Sequence, residues 1–193
     1  MSVDYYNSNS ESFIKDTRNI DMKKNYEVFL ANVPDRGLIL DAGCGSGRDS
    51  LIFQKLGYRV DAFDGSSSMV SEAKKLTGLN IELSTFEDFE FNRFYNGIWA
   101  CASLLHVRRV NLVSILTRLS EGLISGGVLY SSFKYGNNER LNGERYFNDI
   151  NEHVLKAYVD TVPDISVMQT WVTGNRRTND NDEKWLNSLL LKT

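Results

Sequence analysis

Asp41, Gly43, Gly45 and Gly47 follow directly on the apolar run Leu38-Ile39-Leu40, with Ala42 and Cys44 between them. Glycines at this spacing let the main chain turn sharply and let a ligand approach the backbone without a Cβ in the way. A helix opening at Arg48 would present its N-terminus to whatever lies on that turn. Asp41 narrows the ligand, because a carboxylate just before the turn repels a pyrophosphate and favours a cationic end such as an amino-acid ammonium. A second acid, Asp64, lies 21 residues beyond Gly43 (64 − 43), close to the ~20-residue offset at which an acidic side chain grips ribose hydroxyls in nucleotide-binding βαβ units. One carboxylate accepting two hydroxyls forms a bidentate contact. Gly65 and Ser66 then supply a turn and a helix N-cap, which sets Met69 beside the ring of a bound base. His106, one of two histidines, ends a later apolar segment. Its ordinary pKa near 6.5 suits a general base at neutral pH, and a structural or substrate-orienting role is the alternative.

Regular alternation positions these residues. Strands are expected near 38–42, 58–63, 79–83, 96–101 and 127–134, and helices near 21–33, 48–56, 67–76, 109–121 and 149–159. Such alternation implies βαβ units, right-handed crossovers and a parallel sheet. Ile165–Thr173 and Lys184–Lys192 are both strand-like, and the polar stretch between them is too short for a crossover helix, so they should pair antiparallel. Ligands of open α/β sheets bind outside the carboxyl ends of the strands. That edge therefore also receives Thr85, Phe86 and Glu87 after the third strand, Cys101 to His106 after the fourth, and Lys134 after the fifth. The polar stretch Tyr135–Phe147 reads as a long loop, either a substrate lid or a plain solvated connection.

The Asp-x-Gly-x-Gly-x-Gly order, the segment Gly43-Cys44-Gly45-Ser46-Gly47-Arg48-Asp49 and the later Trp99-Ala100-Cys101-Ala102-Ser103-Leu104-Leu105-His106 resemble class I S-adenosylmethionine (SAM)-dependent methyltransferases. They are most similar to small bacterial members of the tellurite-resistance and ubiquinone-biosynthesis type. The resemblance implies a three-layer, doubly wound, Rossmann-like α/β fold. Its seven-stranded, mostly parallel sheet would have order 3-2-1-4-5-7-6, with strand 7 antiparallel and N-terminal helices in front. SAM would be the cofactor and S-adenosylhomocysteine the product. Asp41, Ala42, Gly43, Cys44, Gly45 and Arg48 would hold its amino-acid end. Asp64, Gly65, Ser66 and Met69 would meet the ribose and adenine, and Thr85, Phe86 and Glu87 would border the adenine. Cys101 and Ala102 would pass under the methionine part, with Leu105 and His106 facing the methyl group. Tyr6, preceding the first helix, and Arg18 would reach the methionine carboxylate, with Arg48 as the other candidate arginine. Lys134, Arg140, Arg145, Tyr146 and Arg177 would line the acceptor. With Arg108, Arg109 and Arg176, they suggest either an anionic small molecule or solvated loop charges.

Totals bound the rest. The chain has 193 residues and net charge −3, which suits one domain (residues 1–35 an N-terminal helical cap, 36–193 the core) with no global basic field toward nucleic acid. Its two cysteines call for no disulfide framework, and no apolar run approaches a membrane span. The expectation is a cytoplasmic protein with a small-molecule substrate. The Asp/Asn-Pro-Pro-aromatic motif of adenine-modifying enzymes, a proline-preceded catalytic cysteine and metal-ligand spacing are all missing. The leading expectation is methyl transfer to a small molecule. Competing readings are a SAM-binding regulator without catalysis, methylation of a tRNA nucleoside, and an NAD-linked oxidoreductase, which Asp41 opposes.

Overall fold

The structure is a computed structural model and describes residues 2–174 and 183–193. Three short helices come first: α1 (Ser2–Ser8), α2 (Ser10–Thr17) and α3 (Lys23–Leu30). The alternating part follows as β1 (Leu38–Ala42), α4 (Arg48–Lys55), β2 (Arg59–Asp64), α5 (Ser67–Thr77), β3 (Glu82–Leu83) and β4 (Tyr95–Ala100). A 3₁₀ turn at Leu104–His106 leads into α6 (Arg109–Glu121) and β5 (Leu123–Lys134). Then come β6 (Glu139–Asn142), β7 (Arg145–Asn148), α7 (Glu152–Val159), β8 (Ile165–Gly174) and β9 (Lys184–Lys192).

The seven-stranded sheet has order β3-β2-β1-β4-β5-β9-β8. Strands β1 to β5 run parallel, and β9 pairs antiparallel with both β5 and β8. This is the expected order, with β8 and β9 in the places of strands 6 and 7. All five residues of β1 are buried, as a parallel strand covered on both faces requires. The strand pleat feeds two cores. Leu38, Leu40, Ile98, Leu129 and Leu190 point to the face packed by α6 and α7. Ile39, Trp99, Val128, Tyr130 and Leu189 point to the face packed by α3 and α4, where Phe29 and Phe53 meet them.

Three elements differ from the sequence expectation. Residues 1–20 hold two helices, so Tyr6 lies within α1 rather than before the first helix. The third strand shrinks to two residues at the sheet edge, held only by Phe63↔Glu82 and Asp64↔Leu83. The stretch expected as a long loop is a hairpin, β6–β7, registered Glu139↔Asn148 to Asn142↔Arg145. Gly143, at φ +60°, opens its two-residue turn, the left-handed backbone that such turns demand.

Candidate active site

Strand order reverses between β1 and β4, and the crevice beyond their carboxyl ends is where open sheets bind ligands. A cavity of about 1010 Å³ opens there, at the top of the roughly 300–1,000 Å³ range of small-molecule sites. The three glycines of the first turn have different neighbours. A Cβ on Gly43 would stand 2.5 Å from Ser103 Cβ, and one on Gly47 2.9 Å from Thr77, so these two admit other parts of the fold. Among the described residues, a Cβ on Gly45 would meet nothing within 4 Å, so this glycine leaves its Cβ space open to the cavity. Its N–H donates to Asp64 Oδ2 at 2.8 Å, while the Ser66 N–H donates to Oδ1 at 2.8 Å. Those two donors fix the Asp64 carboxylate at the cavity wall and leave lone pairs on both oxygens. Burial raises the Asp64 pKa, and the two backbone donors work against that rise.

Beneath this wall, Asp41 is buried and accepts from Ser50 Oγ at 2.5 Å. Burial raises its pKa, and neighbouring Asp49 adds to the effect. Asp49, which the sequence analysis passed over, is the most heavily bonded acid of the site. It accepts from Arg48 Nε at 2.6 Å and Nη2 at 3.0 Å, from the Tyr26 hydroxyl at 2.6 Å and from Trp99 Nε1 at 2.8 Å. Burial opposes its ionisation most strongly, yet Arg48 and the other donors together hold its carboxyl below the usual range. Arg48 Nη1 donates to the Thr17 carbonyl at 3.0 Å, which ties the end of α2 to the glycine turn. A further network, Asn25, Tyr130 and Asn187, borders the cavity from three distant elements. Asn25 Nδ2 donates to Tyr130 Oη at 2.8 Å and to Asn187 Oδ1 at 2.9 Å. Trp99 stacks on Tyr130 with centroids 3.8 Å apart, joining the two networks.

The opposite wall carries His106. Its Nδ1 lies 2.7 Å from the Tyr146 carbonyl oxygen and its Nε2 2.8 Å from the Tyr6 hydroxyl. A carbonyl only accepts, so Nδ1 carries the proton, and in the neutral ring Nε2 accepts from Tyr6. Helix α1 spans the mouth. At one end Asn7 Oδ1 accepts from Ser66 Oγ at 2.7 Å, and at the other Ser2 Oγ accepts from the Tyr146 N–H at 3.1 Å.

Residues 39–127 match the sequence profile described as "Methyltransferase domain". That stretch begins in β1 and ends in β5, so it contains the glycine turn, Asp64 and the His106 segment. Over that stretch the chain is similar to methyltransferases. The probable S-adenosyl-L-methionine-dependent methyltransferase TehB of Haemophilus influenzae is 31% identical over 94 residues, covering 46% of this chain and 33% of the relative. The match thus spans a third of that curated relative's length. Among solved structures, the 1,6-didemethyltoxoflavin-N1-methyltransferase of Burkholderia thailandensis superposes with TM-score 0.79 at 18% identity, over 100% of this chain and 85% of that one. A TehB-like SAM-dependent methyltransferase of Corynebacterium glutamicum gives TM-score 0.75 at 16% identity, over 96% and 99%. These structural likenesses establish the fold.

Most expected cofactor positions share the cavity: Asp41, Gly43, Cys44, Gly45, Arg48, Asp64, Gly65, Met69, Thr85, Phe86, Glu87, Cys101 and Ala102. Ala102 is held at φ +52° with its N–H donating to Ser132 Oγ at 2.8 Å. Ala42 and Ser66 support the wall from behind: the Ala42 carbonyl accepts from Ser103 Oγ, and Ser66 caps α5 by accepting from the Met69 N–H. The two cysteines are free and half-buried at the cavity, where burial, followed by Asp49, pushes the Cys101 thiol up to about 12.

Several placements correct the sequence reading. Tyr6 turns its hydroxyl to His106, not toward a carboxylate beside the glycine turn. Arg18 is exposed at the end of α2, away from the cavity, leaving Arg48 as the arginine at the glycine turn. Leu105 is buried in the α6-side core and does not reach acceptor space. The cationic set largely faces elsewhere. Lys134 pairs with Glu183, Arg140 with Asp149 at 2.6 Å, and Arg109 donates to Asn148 at 2.8 Å. The Arg145 guanidinium lies over the Tyr5 ring at 4.3 Å. Glu183 before β9, Tyr5 on α1, and Asn148 and Asp149 at the end of the hairpin thus absorb these charges. Of the expected acceptor residues, His106 and Tyr146 reach the cavity. Arg177, with Asn175 and Arg176, lies outside the described residues.

Proposed function

We propose that the chain binds SAM in this cavity and transfers its methyl group to a small neutral molecule. The observation that carries the reading is Asp64, fixed by the N–H groups of Gly45 and Ser66 at the edge of an open cavity in the class I fold. The residues fit the cofactor. Gly45 leaves its Cβ space empty, Asp64 keeps lone pairs for two ribose hydroxyls, and Met69, Phe86 and Phe63 offer apolar surface to an adenine. Arg48 commits one face to Asp49 and Thr17 and retains N–H groups for a carboxylate. When bound, SAM supplies a sulfonium-activated methyl group.

The chain's own contribution is orientation, exclusion of water by α1 and the hairpin, and a histidine of fixed tautomer. Holding a nucleophile in line is the larger part of the acceleration for such a transfer. Around the cavity, Asp4, Asp64, Glu87, Asp88 and Glu144 face Arg48 and Arg108, and Arg48 is already paired with Asp49. An anionic acceptor would meet a field of its own sign, so a neutral molecule suits the site better than the anion the loop arginines suggested.

Calorimetric titration with SAM and with S-adenosylhomocysteine tests the reading. Micromolar binding is expected for the wild type, weakened about 100-fold by Asp64→Ala through loss of a bidentate charge-assisted contact. A folded protein that binds neither ligand would overturn it.

A further inference from the structure

We propose that Tyr6 is a catalytic residue of this site, relaying the acceptor's proton to His106, and hence that the acceptor arrives as a neutral O–H or N–H compound. The inference rests on the methyl-transfer reading above. Its first support is tautomeric. The Tyr146 carbonyl fixes the proton on Nδ1, so Nε2 presents its lone pair, and the Tyr6 hydroxyl occupies that direction at 2.8 Å. His106 therefore meets an acceptor through Tyr6. Its second support is placement. Tyr6 and His106 both border the cavity, and the Tyr6 ring is packed edge-on against Phe13 at 4.9 Å and His106 at 5.5 Å. Its third is anchorage, since α1 is bonded at both ends, through Asn7 and Ser2.

The proton balance closes within these groups. The acceptor's X–H bond breaks as X takes the methyl group. The proton passes to Tyr6 Oη, and Oη gives its own proton to His106 Nε2. The electron pair of the methyl–sulfur bond stays on the departing sulfur. Imidazolium remains, with Nδ1–H still donating to the Tyr146 carbonyl. An already ionised acceptor would need no such pair. The charged side chains on the elements packed about the ring are Asp4 on α1, Arg108 and Arg109 at the start of α6, Lys134 on β5, and Glu139, Arg140, Glu144 and Arg145 at the hairpin. Lys134 and Arg109 are already engaged with Glu183 and Asn148.

Long-range ¹H–¹⁵N spectra of the imidazoles in the S-adenosylhomocysteine complex, followed over pH, test the pair without an acceptor. The chain has only two histidines, and exposed His153 on α7 serves as the internal reference. The wild type should show His106 as the Nδ1–H tautomer. Tyr6→Phe removes a donor that favours the neutral ring, so His106 should titrate about one pH unit higher while His153 stays in place. An Nε2–H tautomer in the wild type, or a His106 titration that Tyr6→Phe leaves unmoved, would overturn the relay. Calorimetry on both proteins separates this from the cofactor reading, because loss of the relay leaves S-adenosylhomocysteine binding intact.

Discussion

At the scale of single residues, the site is built on two buried acids of opposite behaviour. Asp49 is ionised within a ring of donors. Asp49→Ala leaves the Arg48 guanidinium without its counter-charge, and equilibrium denaturation should show a loss of about 3–5 kcal/mol, as for other broken buried pairs. Asp41 pays for its charge instead. Its folded pKa is raised, so ionisation costs stability, and the cost grows as pH rises above the unfolded carboxyl value of about 3.9. Asp41→Asn keeps an oxygen for Ser50 and removes that cost. The variant should therefore be more stable than wild type at pH 7, by on the order of 2 kcal/mol, with the difference vanishing as pH falls toward 4. Its affinity for S-adenosylhomocysteine should drop at the same time. The sequence showed Asp41 and Asp64 because their roles are tied to the neighbouring glycines. It hid Asp49, because nothing local indicates that Tyr26 and Trp99, 23 and 50 residues away, converge on it.

At the scale of elements, α1 and the β6–β7 hairpin are the parts that close the cavity, and both were partly misread. α1 buries no residue, so apolar periodicity gives no signal for it, and its helix depends on contacts up to 144 residues away. The hairpin did carry a signal. Asn142-Gly143-Glu144 lies between Leu141 and Tyr146, a glycine-bearing two-residue turn of the kind that joins antiparallel strands. The density of charges on either side masked it as a solvated loop. Because α1 adds nothing to the core, deleting residues 1–9 should remove only that helix's own share of the far-ultraviolet dichroism and leave the denaturation midpoint nearly unchanged. Affinity for S-adenosylhomocysteine should fall about 10-fold as Tyr6 and the Asn7 and Ser2 anchors are lost.

At the scale of the whole molecule, the parallel βαβ pattern followed from alternation, whereas the strand order was implied by the family resemblance. The terminal β8–β9 pair was legible because its connection is too short to cross the sheet. Side-chain destinations were not. Arg140, Arg145 and Lys134 lie in loops or strand ends that reach the correct edge, yet Asp149 meets Arg140 only through the hairpin register, and Tyr5 and Glu183 belong to other segments that only the fold brings near. The cavity should also couple to global stability. Saturation with S-adenosylhomocysteine at about 100 times its Kd should add roughly 2.7 kcal/mol to unfolding, visible as a raised Tm that Asp64→Ala abolishes.

Two of the chain's three tryptophans stand at this cavity: Trp185 on its wall and Trp99 behind it, hydrogen-bonded to Asp49 and stacked on Tyr130. An indole beside a carboxylate and a phenol ring reports local field and solvent access in its emission. The protein thus carries its own unlabelled optical gauge: filling the cavity changes the surroundings of Trp185 directly and of Trp99 through Tyr130, so occupancy can be read in a fluorimeter before any acceptor is known.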